Sequence, residues 1–449
     1  MLLSLLLLAC TNGHDAPVDT AVEKPDPEDP LQFDGPAPRN VLMLSMDTFR
    51  KDHFDTYGDM GLTPYLGTLA SESVHLDDHV QCSNWTWHST SCTLAGRYEI
   101  DVGHVPNLVG TREPLPDGIR TLARVLSDDH DYGSVLQSKN GWLGPRWNNA
   151  QGYTIVNPVT DPGAYNLVRS AVNNRVAAME QTGGDNWFVH VHFLEPHAPY
   201  NPPEEYRLGV DELPPLPEGI DLDVQAAHYV AINQLEELSE EDANTVLQHM
   251  RLRYQGELRW LDAQLEAALT ELDQEGLLDD TLVVVWTDHG EAFFEHGVQT
   301  HAHHLYGEEN NAILFFWAKN LKPFAYESPT HAVDLVPTVL SILELPLDDD
   351  LAGHALGTAP PGRIRFASTV ARQGVQVSAM KDGHKLLYRH RDVSWSLYDS
   401  KSDPAEKLDL LGAHPDHELF QELEPLITER VDAFDAYFES VAGPGGFLP

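Results

Sequence analysis

An α/β fold with a mostly parallel central sheet, flanked by helices, is predicted by three features of the chain. Helix-like and strand-like patterns alternate through most of its 449 residues. Two short β-prone runs, Asn40-Val-Leu-Met-Leu-Ser45 and Thr281-Leu-Val-Val-Val-Trp286, have the continuous apolar character of strands buried on both faces. Each run opens into acids, Met46-Asp47-Thr48 after the first and Thr287-Asp288-His289-Gly290-Glu291 after the second. Open α/β sheets bind ligands beyond the carboxyl ends of their strands, so Asp47, Asp288 and His289 can converge on one ion. Thr86, between the two segments, is the hydroxyl placed to join them.

In chain order, Met1 to Ala9 is apolar and ends in Leu7-Leu8-Ala9-Cys10, the form of a bacterial lipobox. The expectation is a lipoprotein-type signal over residues 1–10, export, and a lipid anchor on Cys10 at the cell envelope, periplasmic or cell-surface. The shortness of the run and its lack of a preceding Lys or Arg leave a stray apolar terminus as the alternative; the run is too short for a transmembrane helix. Residues 11–38, with Pro17, Pro25, Pro27, Pro30, Pro36 and Pro38 among acids, read as a linker. The main domain is assigned to residues 39–347.

Within it, Gly118-Ile-Arg-Thr-Leu-Ala-Arg-Val-Leu126 has helical apolar spacing, and Tyr132-Gly-Ser-Val-Leu136 reads as a strand. Asn186-Trp-Phe-Val-His-Val-His192 reads as another, delivering Glu195 and His197 before Pro196 and Pro199 stop it. Ser239-Glu-Glu-Asp242 offers a helix cap, and Leu258, Leu261, Leu265, Leu269 and Leu272 mark one apolar face of a packing helix. A Pro-rich stretch from Pro202 to Pro217 is either a lid or a surface loop. Asp348-Asp349-Asp350 marks a boundary to a C-terminal subdomain, residues 348–449. There Gln376-Val-Ser-Ala-Met380 and Lys385-Leu-Leu-Tyr388 have hairpin character, and a final helix lies near residues 416 to 438.

Seventy acidic against 28 basic residues give a net charge of −42. Nucleic acid is excluded as a partner, since phosphate backbones are bound by clustered Lys and Arg. Any membrane association is assigned to the N-terminal lipid anchor. The acidity reads as a solvated, aggregation-resistant surface or as adaptation to high salt. A small anionic ester would be repelled globally, so a metal and local bases must capture it. Cys82 and Cys92 flank Thr86; an exported protein could bridge them, although buried free thiols are the preferred reading.

Several segments resemble, in order, the sulfatases of the alkaline-phosphatase superfamily, over about residues 39 to 415. Asp47-Thr-Phe-Arg-Lys-Asp-His53 resembles D-T-L-R-x-D-H, and Thr63-Pro-Tyr-Leu-Gly-Thr-Leu-Ala70 resembles T-P-N-L-D-x-L-A. The segment from Trp85 to Gly96 is similar to the nucleophile motif W-T-x-P-S-H-x-x-x-x-T-G, and Phe193-Leu-Glu-Pro-His-Ala-Pro-Tyr200 to D-P-H-x-P-Y. Thr287-Asp-His-Gly-Glu291, Glu295-His-Gly297 and His301-Ala-His-His-Leu-Tyr306 resemble S-D-H-G-E, E-H-G and H-G-H-T-L-Y. Ala332-Val-Asp-Leu-Val-Pro-Thr338 and Ser396-Leu-Tyr-Asp-Ser-Lys-Ser-Asp-Pro404 resemble the late D-L-V-P-T and L-Y-D-x-x-x-D-P.

The resemblance implies an alkaline-phosphatase-like fold with a small C-terminal antiparallel sheet. It implies one divalent metal ion, Ca2+ as in sulfatases or Mn2+/Zn2+, on Asp47, Asp288, His289 and Thr86. Met46 stands where many members have a second Asp, and His289 where some have Asn, which moves the preference toward a transition metal. Thr86 holds the nucleophile position; it cannot become the formylglycine of many sulfatases, but a metal can activate its hydroxyl. His197, Lys139 and His303 are the further catalytic candidates, with His301 and His304 as rivals of His303. His88 replaces a family Pro, and Thr90 a family His or Arg. The implied activity is metal-dependent hydrolysis of sulfate or phosphate/phosphonate esters. The alternatives are a surface-anchored binding protein without catalysis and an envelope phospho-alcohol transferase.

Overall fold

Strands that are apolar on both faces must be covered on both, and Asn40–Met46 satisfies this at the centre of an eight-stranded sheet. In the computed structural model, which describes residues 26–103, 114–158, 163–224, 231–233, 235–371 and 374–442, the strand order is Phe324–Tyr326, Val74–Leu76, Leu314–Trp317, Thr281–Thr287, Asn40–Met46, Trp187–Phe193, Gly133–Ser138 and Ile155–Pro158. The strands from Thr281–Thr287 to Ile155–Pro158 run parallel, whereas Leu314–Trp317 is antiparallel to both of its neighbours.

Leu42, Leu44 and Met46 point into one core layer, and Val41 and Met43 into the other. The first layer is covered by the helix Ala164–Thr182 and the long helix Glu240–Gln274, whose Leu258, Leu261, Leu265, Leu269 and Leu272 are all buried. Ser239 caps this helix, its hydroxyl accepting from Asp242 N at 3.1 Å. The second layer is covered by Leu122 to Leu126 and by the helix Leu335–Ile342. Helix begins at Leu122 rather than Gly118, because Thr121 takes the cap position and accepts from Arg124 N.

A separate four-stranded antiparallel sheet joins Arg365–Ala371, Gly374–Lys381, His384–Arg389 and Ser394–Asp399. One of its faces packs Val377, Leu386 and Leu397 on Leu423, Ile427, Val431 and Phe434 of the helix Glu418–Ala442. The other puts Ala367, Met380 and Leu387 against Val80 and Leu305 of the main domain. Asp348 and Asp350 are tied to Arg120 and Arg97 of that main domain, and the chain stays on it beyond this acidic run, His354 N donating to Asp334 Oδ1 at 2.8 Å and Leu356 packing in the second core layer.

Cys10 and residues 1–25 lie outside the described residues. The last part of the expected linker is docked: Leu31 and Phe33 pack on the second core layer, and Asp34 N donates to Asn320 O at 2.7 Å. Among the described residues no helix is long and apolar enough to cross a membrane. Cys82 and Cys92 form a disulfide, in place of the buried free thiols that the sequence favoured. The bridge ties the segment before Thr86 to the helix Thr86–Ala95, whose turn brings Cys92 back beside Cys82.

Two outcomes follow from this packing. Replacing Cys82 and Cys92 together with Ser lowers unfolding free energy by about 3 kcal/mol in a non-reducing denaturant titration, the loop-closure value for a bridge of this span. Burial, then the charge of Glu195, pushes the Glu257 carboxyl from its ordinary 4.5 up to about 8, while its Oε1 accepts from Asn201 N at 2.8 Å. The folded chain therefore holds that proton more tightly than the unfolded one, and stability declines as pH rises from about 4.5 to about 8. Glu257→Gln flattens that decline by a few kcal/mol, measured as unfolding free energy against pH.

Candidate active site

Parallel pairing sets the strand ends level. Met46 is in register with both Phe193 and Thr287, and the ladder continues one residue further. Asp47 N donates to Phe193 O at 3.1 Å and Asp288 N to Met46 O at 3.2 Å. Ser138 is level with His192, so Lys139 and Asn140 emerge beside Glu195 and His197. Thr48 then turns the chain in the left-handed region at φ 57°. Its amide faces Asp288 Oδ1 at 3.3 Å, and its carbonyl accepts from Tyr254 of the long helix at 2.7 Å. That helix thus supports the site through Tyr254, beyond the packing role expected of it.

Asp47, Asp288 and His289 are fully buried and form one cluster. His289 Nε2 lies 3.4 Å from Asp47 Oδ1 and 3.5 Å from Asp288 Oδ2. Its Nδ1 donates to Gly290 O at 2.9 Å, which turns the Nε2 lone pair on the carboxylates. Asp47 Oδ1 and Asp288 Oδ2 take no hydrogen bond among the described residues. Two ligand atoms on one cation, with bonds of about 2.0–2.4 Å, stand roughly 3–4 Å apart, so this donor set fits a divalent ion.

The electrostatics agree with that fit. Burial raises the Asp47 carboxyl, but His197 and then the His192 ring outweigh it and hold the group below its ordinary value. Asp288 is pushed well above its ordinary value by burial and then by the charge of Asp47, a repulsion that a cation between them relieves. Burial, then His301, lowers His289 to about 3, so it is a neutral imidazole with a lone pair to give.

Thr86 is the first residue of the helix Thr86–Ala95. Its Oγ1 stands 3.4 Å from Asp47 Oδ2 and 3.4 Å from His289 Nε2. Thr90, one turn on, donates to Thr86 O at 2.5 Å and brings no cation to the hydroxyl.

The remaining candidates separate. The His197 ring lies 5.1 Å from that of His301, with Nδ1 donating to Ala198 O at 2.6 Å. It is His301, rather than His303, whose ring lies against His289, at 4.5 Å; Glu291 Oε1 is 3.1 Å from its Nδ1. His303 faces a different pocket, with His296, His304 and Arg389, and its carbonyl accepts from Gln376. Lys139 forms an ion pair with Glu195 at 2.5 Å. Its neighbour Asn140, unforeseen in the sequence, reaches the cluster: Nδ2 is 2.7 Å from Asp47 Oδ2 and 3.3 Å from Thr86 Oγ1. His192 was also missed; its Nε2 is 3.8 Å from Asp47 Oδ2, while its Nδ1 and His190 Nε2 share the Ser45 hydroxyl at 2.8 Å each. Level parallel strands place Ser138 beside His192, and that register is the signal that could have found Asn140.

Comparison with known proteins agrees with this architecture. Choline-sulfatase of Rhizobium meliloti is 24% identical over 239 residues, 50% of this chain and 44% of that protein. The ulvan-active sulfatase of Formosa agariphila is 21% identical over 452 residues, covering 91% and 84%. Arylsulfatase K of Bos taurus is 30% identical over 111 residues, covering 24% and 20%. The chain thus spans less than half the length of two of these three relatives. Among solved structures, BT4656 in complex with D-glucosamine-2-N,6-O-disulfate superposes with a TM-score of 0.68 at 16% identity, covering 89% of this chain and 98% of that one. Phosphonate monoester hydrolase SpPMH of Silicibacter pomeroyi gives 0.64 at 21% identity, covering 88% and 94%. The Sulfatase family model matches residues 39–345, which hold every residue of the Asp47 cluster, and the chain therefore belongs to the sulfatase family.

Proposed function

We propose that this chain is a divalent-metal-dependent hydrolase of sulfate or phosphate and phosphonate esters, with Thr86 as nucleophile. The supporting observation is the position of Thr86 Oγ1, 3.4 Å from Asp47 Oδ2 and from His289 Nε2. Asp47, Asp288 and His289 would hold the cation, which when bound lowers the pKa of a hydroxyl beside it and balances the charge of an anionic ester. Such local positive charge is needed in a chain of net charge −42.

The side chains perform the rest. Asn140 bridges Asp47 and Thr86 and fixes the hydroxyl in place. The helix begins at Thr86, and the positive end of its dipole gives the transferred group an electropositive seat. Thr86 releases its hydroxyl proton to solvent, its Oγ1 forms the new bond to sulfur or phosphorus as the bond to the alcohol breaks, and the departing oxygen takes a proton. His197 and His301 are the proton carriers within reach, with Glu291 beside His301 to stabilise an imidazolium. Water then hydrolyses the ester on Thr86 and regenerates the hydroxyl. Because Thr86 cannot form an aldehyde hydrate, phosphate diesters and phosphonates are preferred to sulfates.

A second reading, a binding protein without turnover, rests on Thr90, whose hydroxyl is spent on its own helix where the family has His or Arg. Turnover separates the two. Protein loaded with Mn2+ or Zn2+ is expected to cleave a 4-nitrophenyl phosphate diester or phosphonate, and Thr86→Ala lowers kcat by roughly a thousandfold or more. Equal rates for the two proteins remove Thr86 from the chemistry. Added Mn2+ or Zn2+ at about a hundred times its Kd raises unfolding free energy by about 2.7 kcal/mol, read in thermal melts, and Asp47→Asn abolishes much of that gain.

A further inference from the structure

We infer that the chain carries a second transition-metal site, of zinc class, formed by His296, His304 and Glu308, separate from the Asp47 cluster and independent of the function proposed above. One ligand atom from each of these residues lies within 4.8 Å of those of the other two. The His304 and Glu308 side chains are 7% and 6% exposed. His304 Nε2 has no hydrogen-bond partner among the described residues and stands 3.9 Å from Glu308 Oε1. On the other side of Glu308, His296 Nδ1 approaches Oε1 at 2.6 Å. Two imidazole nitrogens thus converge on one buried carboxylate oxygen.

What distinguishes this cluster from an ordinary buried ion pair is how each ring is held from behind. His304 Nδ1 lies 2.9 Å from Glu309 Oε1. Glu309 is itself oriented, its Oε2 accepting from Asn84 Nδ2 at 2.9 Å and from His303 N at 3.1 Å. His296 Nε2 lies 3.2 Å from Glu406 O, and its ring stacks on Tyr306 at 3.6 Å. His296 gives one nitrogen to a carbonyl and His304 sets Nδ1 in charge contact with Glu309, which leaves the other nitrogen of each ring aimed inward, as metal-binding histidines are oriented. Two imidazoles and a carboxylate are a borderline N2O donor set that suits zinc. His296 and His304 also line a surface pocket, so water can supply a fourth ligand.

Occupation by a cation displaces the proton shared by His296 and Glu308, and those two atoms open to about 3.3 Å, the spacing of two ligands on a tetrahedral zinc ion. The ion ties the turn at His296 to the segment ahead of Glu308, and so braces the loop that presents His301 to His289. Asn84, two residues before Thr86, joins the two centres: its Nδ2 donates to Glu309 and to His304 O at 2.8 Å.

Counting bound metal tests this. Full-length protein stripped with a chelator, reloaded with Zn2+ and desalted is expected to retain two equivalents by elemental analysis. Asp47→Asn/Asp288→Asn is expected to keep one, and adding His296→Ala/His304→Ala to that background to keep none. Cobalt loaded into Asp47→Asn/Asp288→Asn is expected to show the visible bands of a tetrahedral ion with nitrogen ligands. Wild-type protein that retains a single equivalent overturns the proposal, whatever the folding of the variants. So does a folded Asp47→Asn/Asp288→Asn protein, checked by circular dichroism, that retains none.

Discussion

Parallel strand pairing at the middle of the sheet is the constraint on which the rest depends. Hydrogen bonds from Asp47 N to Phe193 O and from Asp288 N to Met46 O carry the ladder past the last strand residues. The first side chains beyond it are thereby forced to one level. A one-residue slip of either neighbour would turn its carboxylate away, since side chains alternate faces along a strand. Burial on both faces resists that slip, because Leu42 and Leu44 belong to one core layer and Val41 and Met43 to the other.

Holding two carboxylates together in a dry interior is unfavourable, and the surroundings show how the fold sustains it. Ionisation of Asp288 is opposed by burial and by Asp47, whereas that of Asp47 is favoured by His197 and His192. Tyr254, Asn140 and the Gly290 carbonyl fix the turn, the carboxylate and the imidazole in turn. The Cys82–Cys92 bridge fastens the helix that presents Thr86. Distant parts of the chain thus converge on one small volume, and the acidic surface has little direct part in it.

Much of this was legible in the residues. The runs at Asn40 and Thr281 announced doubly buried strands, and the acids after them announced a site, because local composition reports burial and strand ends report position. The leucine face of the long helix was legible for the same reason. Asn140 was not, since a single amide after a strand has no local mark; only the register that sets Ser138 beside His192 selects it over Lys139. The choice of His301 over His303 was equally hidden. In a segment holding His301, His303 and His304, direction is set by the backbone, where Thr300 and Ala302 take positive φ of 74° and 65°.

By itself, then, the order of residues determined the α/β class, the family pattern and the identity of the carboxylates, because these are carried by short-range periodicity and by motifs that sit at strand ends. The tertiary structure decided which neighbours complete the site, that Lys139 is paired with Glu195, that Cys82 bonds Cys92, and that His296, His304 and Glu308 meet. Those outcomes depend on the directions in which side chains leave the backbone and on contacts between segments far apart in the chain, and neither is written in local composition.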